Sequence, residues 1–288
     1  MRRFVDLHTH STASDGAVSP AELVAAADRC NLAALALTDH DTVAGLAAAR
    51  AAADAASELQ FICGIEISIH FTGGTMHILG LGIDPGDEAL VALTHRLQRA
   101  RDERNPKIVR KLRAADIDIS DDDVAAVAHQ MRAGQDSAVT SRVHIAETLR
   151  RMGHAGSIPD AFERYLGRGG AAYVDKDRPV PSEAIAAIRA AGGLAVLAHP
   201  SHLNCANRAQ LERVVRDLMR WGLGGIEAFH SDHSPLQTRQ VMDLAHRVGL
   251  GVSGGSDFHG PSKADVRLGH PRVPLAALTG PVAELVRR

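Results

Sequence analysis

The sequence predicts an α/β barrel, on three observations. Short apolar runs of strand length alternate with helix-length segments along much of the chain, the pattern of a parallel sheet with crossover helices. Seven such runs are present, one of them a hairpin partner. Their ends repeatedly carry His, Asp or Glu. A closed barrel gathers strand ends at one mouth, where barrel enzymes keep their catalytic residues. An open doubly wound sheet gathers them only at a switch point.

Phe4-Val5-Asp6-Leu7 is the first run and leads into His8-Thr9-His10, with Asp15 close behind. Residues i and i+2 of a strand share a face, so His8 and His10 can grip one object. Ser19-Pro20-Ala21-Glu22 is a capping box opening a helix to about Asn31. Ala33 to Leu37 is the second strand and ends in Thr38-Asp39-His40-Asp41, before an Ala-rich helix from about Thr42 to Ala56. Phe61 to His70, carrying Glu66, and Met76 to Ile83, carrying His77, are close enough to form a hairpin. From Asp87 to about Ala115 the pattern is helical and basic, with a break expected at Asn105-Pro106. Helices are expected over Asp121–His129, Thr140–Met152 and Pro159–Leu166, with no strand among them. Residues 101–175 therefore read as a helical insertion subdomain covering the active site, and 1–100 with 176–288 as the barrel.

Alternation resumes with a helix over Ser182–Ala191 and a strand over Leu194–Ala198 ending in His199-Pro200-Ser201-His202. A helix over Arg208–Trp221 precedes the strand Gly225–Phe229, which ends in His230-Ser231-Asp232-His233. Ser234-Pro235-Leu236-Gln237 is a second capping box. The strand Leu250–Ser253 ends in Gly254-Gly255-Ser256-Asp257-Phe258-His259, and a further strand near Arg272-Val273 and a short terminal helix close the pattern.

Composition narrows the class. The 288 residues suffice for one large α/β domain or two smaller ones. A net charge of -2 argues against a broad electrostatic nucleic-acid platform. Cys30, Cys63 and Cys205 form no CxxC pair and read as reduced, buried thiols of a cytoplasmic protein. No signal peptide or membrane-spanning run is visible. No obligate protein partner is evident, so a monomer or small homo-oligomer is expected.

Sixteen histidines is an unusual number, and nine lie in or just after apolar runs. The candidate ligands are His8, His10, Asp15, His40, Glu66, His77, His199, Asp257 and His259. They are too many for one tetrahedral ion and fit a two- or three-metal cluster, with Glu66 able to bridge. Ligands of N and O without thiolate suit Mn, Fe or Zn. Taken singly, His40 could cap the next helix, His77 could be a satisfied core histidine, and Asp257 and His259 could shape a turn. Glu66 has no such cheap alternative, because an unpaired buried carboxylate is costly.

His8-Thr9-His10 with Asp15, Thr38-Asp39-His40, Gly64-Ile65-Glu66, His77, Ala198-His199-Pro200 and Gly255-Ser256-Asp257-Phe258-His259 together resemble the PHP (polymerase and histidinol phosphatase) family. The resemblance spans about residues 1–100 and 180–270. It implies a distorted seven-stranded (β/α)7 barrel and a trinuclear site, with Mn expected first and Fe or Zn as alternatives. It implies that His8, His10, Glu66 and Asp257 hold one ion, Asp15, His40 and His259 a second, and His77, His199 and the shared Glu66 a third. The helical insertion and the short Glu66–His77 spacing resemble the subgroup of 3′,5′-nucleotide bisphosphate phosphatases and 5′–3′ exoribonucleases more than histidinol phosphatases.

Metals acidify bound water, so a metal-bridging hydroxide attacking phosphorus is the expected mechanism. His202 and His230, surplus to the ligand set, are candidates to protonate the leaving alkoxide. Lys107, Arg142, Lys176 and Arg178 are candidates for a second phosphate, and Asn204 for phosphate or ribose. The leading expectation is removal of the 3′-phosphate from nucleoside 3′,5′-bisphosphates, such as 3′,5′-adenosine bisphosphate to AMP. Its rivals are 5′–3′ exoribonuclease action on short RNA and a histidinol-phosphatase-like phosphomonoesterase. A regulatory or proofreading-accessory module with little catalysis is a further class, against which the full ligand set argues.

Overall fold

The apolar runs become strands because both faces of a barrel strand are covered, leaving little alternation to see. The computed structural model describes residues 3–55, 58–131 and 140–287. In chain order the elements are β1 (Phe4–Asp6), α1 (Pro20–Arg29), β2 (Leu32–Leu37), α2 (Leu46–Asp54), β3 (Gln60–Ile69), β4 (Met76–Leu81), α3 (Glu88–Ala114), α4 (Asp121–Met131), α5 (Arg142–Arg151) and α6 (Ile158–Ala161). There follow α7 (Pro181–Ala190), β5 (Leu194–Leu197), α8 (Arg208–Trp221), β6 (Gly225–Phe229), α9 (Pro235–Val248), β7 (Gly251–Gly254), β8 (Val273–Pro274) and α10 (Gly280–Val286). A π turn over Phe162–Leu166 extends α6. Both expected capping boxes form, Ser19 with Glu22 and Ser234 with Gln237.

The strands form one sheet in the order β7-β6-β5-β4-β3-β2-β1-β8. β1 to β3 are parallel, as are β5 to β7, whereas β4 runs antiparallel to both its neighbours. At the mouth β1 and β7 close on each other. The Leu7 N–H donates to the Gly254 carbonyl at 3.1 Å, and the Asp257 N–H to the His8 carbonyl at 2.9 Å. At the opposite end of β1, β8 pairs antiparallel through Phe4–Pro274 and Val5–Val273. Seven strands thus make a nearly closed barrel and the two-residue eighth strand adds to its rim, which is the distortion the family resemblance implies. Because β4 is antiparallel, its start faces the mouth. That is why His77 is its second residue, while Glu66 lies well along β3.

One apolar cluster joins Val5, Leu7, Ala36, Leu81 and Val196 of the strand-bearing segments to Val282, Ala283 and Val286 of α10. The chain divides into two compact units, residues 1–94 with 178–288, and residues 95–177. The second has its own core, including Ile108, Leu112, Ile145, Leu149 and Leu166.

Two helix expectations are corrected. The second helix begins at Leu46 rather than near Thr42, because Asp41 has φ 57° and its carboxylate is turned to Ser68, accepting from its N–H at 2.9 Å. The expected end of that helix, Ala56, lies outside the described residues. α3 does not break at Pro106 but runs for 27 residues through it. A proline in a helix costs about 3 kcal/mol; Leu97 on one side and Ile108, Val109 and Leu112 on the other are buried and offset it.

Candidate metal centre

The end of β1 is fixed before any ligand is considered. Thr9 turns away from the barrel axis, its hydroxyl donating to the Ala36 carbonyl at 2.7 Å. His8 and His10, one residue to either side, therefore project to the other face and are fully buried. The following loop is tied by Asp39, which accepts from the Ser11 N–H at 2.8 Å and from the hydroxyls of Ser11 at 2.7 Å and Ser14 at 2.6 Å. Asp6 ties the last loop in the same way, accepting from the Ser256 N–H and the Gly269 N–H, each at 2.8 Å. Asp15 and Asp257 are thus carried on braced loops.

Four atoms converge at the centre. His8 Nε2 lies 3.3 Å from Glu66 Oε2 and 3.4 Å from Asp257 Oδ1; His10 Nε2 lies 3.2 Å and 3.1 Å from the same two oxygens. Four donors set tetrahedrally at about 2.0–2.1 Å from an ion stand about 3.3–3.4 Å apart. His8 Nε2, His10 Nε2 and Glu66 Oε2 are buried and make no hydrogen bond, which buried polar atoms seldom do without an ion or water to meet them. The residues therefore fit a divalent cation.

Two further groups adjoin this one. Asp15 lies 3.9 Å from His40 Nε2 and 3.4 Å from His259 Nε2, and with His10 these form a second set of converging donors. On the far side of Glu66, Oε1 is 2.7 Å from His77 Nδ1 and 3.0 Å from His199 Nε2, and those two nitrogens are 3.2 Å apart. His40 Nδ1 also approaches Glu66 Oε2 at 2.9 Å. All nine residues read from the sequence are thus brought together, with Glu66 at the join. His199 and Asp257 hold positive φ, 24° and 56°, a conformation that non-glycine residues keep only where the surroundings enforce it.

A PHP domain model matches residues 6–158. Over 92% of this chain and 90% of the relative, the sequence is 37% identical to a 3′,5′-nucleoside bisphosphate phosphatase of Chromobacterium violaceum. The chain belongs to the PHP domain family. A 5′-3′ exoribonuclease of Haemophilus influenzae is likewise 37% identical, over 91% of this chain and 92% of that one. A solved amidohydrolase structure from Chromobacterium violaceum, with bound sulfate and no metal, superposes with a TM-score of 0.83 at 36% identity, covering 96% of this chain and 98% of that one. The protein is thereby a metal-dependent phosphoesterase of the PHP type.

The electrostatics of the PHP centre call for cations. Burial by itself would push the His8 imidazole down, but Glu227, Glu66 and Asp257 outweigh it and hold it well above its ordinary value. His10 and His40 are raised in the same manner, by Asp257 with Glu66 and by Glu66 with Asp15. Burial would raise the carboxyls of Asp15, Glu66 and Asp257, yet the surrounding imidazoles hold all three well below the usual range. Burial keeps His199 neutral, its imidazole lowered to about 3, so its lone pair is available for coordination.

Two residues of the centre escaped the sequence reading. Glu227, fully buried in β6, faces His8 Nδ1 at 3.1 Å and accepts the His199 N–H at 2.8 Å. The signal was present, a carboxylate inside an apolar strand like Glu66. Lys263 Nζ reaches Asp257 Oδ2 at 2.8 Å from the short turn after His259; nothing in its sequence context marks it.

The two candidate acids differ. His202 is half-buried at the rim, its Nε2 3.0 Å from Asp232 Oδ2 and its ring 4.3 Å from that of His199. His230 is buried, its Nδ1 accepts the Asp232 N–H at 3.1 Å, and its Nε2 faces Asp257 Oδ2 at 3.6 Å. The phosphate candidates are spread over both units. Lys107, exposed, Arg142 and Lys176 belong to the second unit, and Arg178 and Asn204 to the first. Arg142 donates to the Leu166 carbonyl at 2.9 Å, and its guanidinium lies 5.4 Å from the Phe162 ring. Asn204 is exposed in a left-handed turn. Among the described residues no helix is long and apolar enough to cross a membrane.

Proposed function

We propose that this PHP enzyme removes the 3′-phosphate from nucleoside 3′,5′-bisphosphates and holds three divalent ions, Mn foremost, on the nine residues above. The observation that carries the reading is Glu66. One oxygen faces His8, His10 and His40, and the other faces His77 and His199, so a single carboxylate can bridge ions on either side. Divalent ions held there would supply acidified water and charge to neutralise phosphate oxygens. The chain's own residues do the rest. Lys263, already on Asp257 and partly exposed, adds positive charge beside the position of the phosphate. His202, oriented by Asp232, donates a proton to the departing ribose oxygen. His230, whose Nδ1 accepts the Asp232 N–H, presents Nε2 towards Asp257 at 3.6 Å. Arg178, in the same unit as the metal centre, remains a proposed contact for the second phosphate.

The second reading, 5′–3′ cleavage of short RNA, is favoured by the equally similar exoribonuclease relative. The same centre would act on a diester. Phosphate release from 3′,5′-adenosine bisphosphate in Mn is the deciding measurement, run beside cleavage of a 5′-end-labelled oligoribonucleotide. Release of phosphate from the bisphosphate is the expected result. Oligonucleotide cleavage alone would replace this reading with the second, and turnover of neither by metal-loaded protein would refute both.

A further inference from the structure

Among the described residues, Glu227 is the buried carboxylate at the centre that the nine-residue set leaves without a task. It is fully buried on β6, and its neighbours there, Gly225, Ile226 and Ala228, are apolar and buried. A carboxylate so placed is costly unless its oxygens are satisfied. Both are: Oε1 lies 3.1 Å and Oε2 3.3 Å from His8 Nδ1, and Oε2 also accepts the His199 N–H at 2.8 Å.

The chemistry of these contacts is directional. An ionised carboxylate only accepts, so His8 Nδ1 keeps a proton, and in the neutral ring that would bind a metal it is Nε2 that offers the lone pair. That lone pair points at Glu66 Oε2 and Asp257 Oδ1. The opposite tautomer would present an N–H to the same place. The contact to His199 is of a different kind, since it holds the backbone. His199 sits at φ 24°, and the bond from its N–H to Glu227 braces the turn that sends its ring back to Glu66. One carboxylate therefore fixes the tautomer of a residue on one side of Glu66 and the backbone of a residue on the other.

A rival role for Glu227 is direct ligation, because Glu227, His8 and His230 also converge. The hydrogen bonds speak against it. His230 Nδ1 accepts the Asp232 N–H, which leaves the proton on Nε2, and a protonated nitrogen has no lone pair to give. His8 Nδ1 is excluded for the same reason.

We propose that Glu227 is a positioning residue, setting His8 as an Nε2 ligand and holding His199 in place, so that ion binding on both sides of Glu66 depends on it. The inference rests on the reading of His8 and His199 as metal ligands. Such partners of ligating histidines, when replaced, cost about 10–100-fold in metal affinity.

The test is titration of chelator-stripped full-length protein with Mn2+ and Zn2+ by calorimetry, comparing wild type with Glu227→Gln. The expected result is affinity weaker by about 10–100-fold in the variant, with the same number of ions bound at saturation and unfolding of the metal-free protein close to wild type. Unchanged affinity overturns the proposal, and so does the loss of one ion per chain at saturating metal, which marks a ligand. Wild-type protein that takes up no ion would refute the ligand reading itself, a separate failure. Should Glu227→Gln not fold, 15N-histidine spectra of the Zn-loaded wild type decide, with a protonated His8 Nδ1 in support and a protonated Nε2 against.

Discussion

Adding one carbon at Gly255 should disable the centre without replacing a ligand. A Cβ built there would stand 2.4 Å from His8 Cβ and 2.5 Å from His8 N, where ordinary contact begins at 3.4 Å. Both are parts of β1 next to the barrel closure and cannot swing aside like a long side chain. Gly255→Ala must therefore part the loop after β7 from β1 by about 1 Å, a strain of about 1–3 kcal/mol. Asp257 follows two residues later and donates its N–H to the His8 carbonyl. Its Oδ1 edges to His8 and His10, now 3.4 and 3.1 Å, would open beyond tetrahedral spacing, and a misplacement of 1 Å can cost about 100-fold in rate. The assay is phosphate release across a Mn titration, with thermal unfolding of the metal-free protein alongside. Gly86→Ala, whose Cβ would meet only Asp84 at 3.4 Å, serves as the control and should behave as wild type. Gly255→Ala with wild-type turnover, metal requirement and unfolding midpoint would refute the reasoning.

Other expectations follow from single contacts. Asp39→Ala strands three buried donors on Ser11 and Ser14 and should destabilise by about 3–6 kcal/mol in urea unfolding, with Asp39→Asn losing less. Chelation should lower the unfolding midpoint and Mn2+ should restore it; an ion at 100 times its dissociation constant contributes about 2.7 kcal/mol, so a chelator-independent midpoint would count against the centre as a metal site. Glu147 is held by Arg150, and against burial by Arg151, to about 2. Its folded value lies below its unfolded one, so the stabilisation is present above pH 4.5 and lost as pH falls towards 2. Allowing for the half-exposed guanidiniums, wild type should exceed Glu147→Gln by about 1 kcal/mol at pH 6, and the gap should close by pH 2.

The sequence by itself determined the local and repetitive features. Strand length, the Ser19 and Ser234 capping boxes, and the i, i+2 placement of His8 and His10 depend on neighbours along the chain, and those rules operate before folding. Nine ligand candidates were legible because imidazoles and carboxylates recur at one strand end after another; several have ordinary alternatives when taken singly, whereas a buried carboxylate such as Glu66 does not. Tertiary structure decided the rest. The antiparallel course of β4 put His77 at a strand's start; the pairing of β8 with β1, and the hydrogen bonds of Leu7 and His8, just after β1, to Gly254 and Asp257, settled how the barrel closes. Pro106 shows burial overriding a local rule. Glu227 and Lys263 became part of the centre only through contacts 219 and 6 residues away in sequence. Whether a carboxylate orients a histidine or merely sits beside it is a matter of distance and direction between strands, which no spacing along one chain encodes.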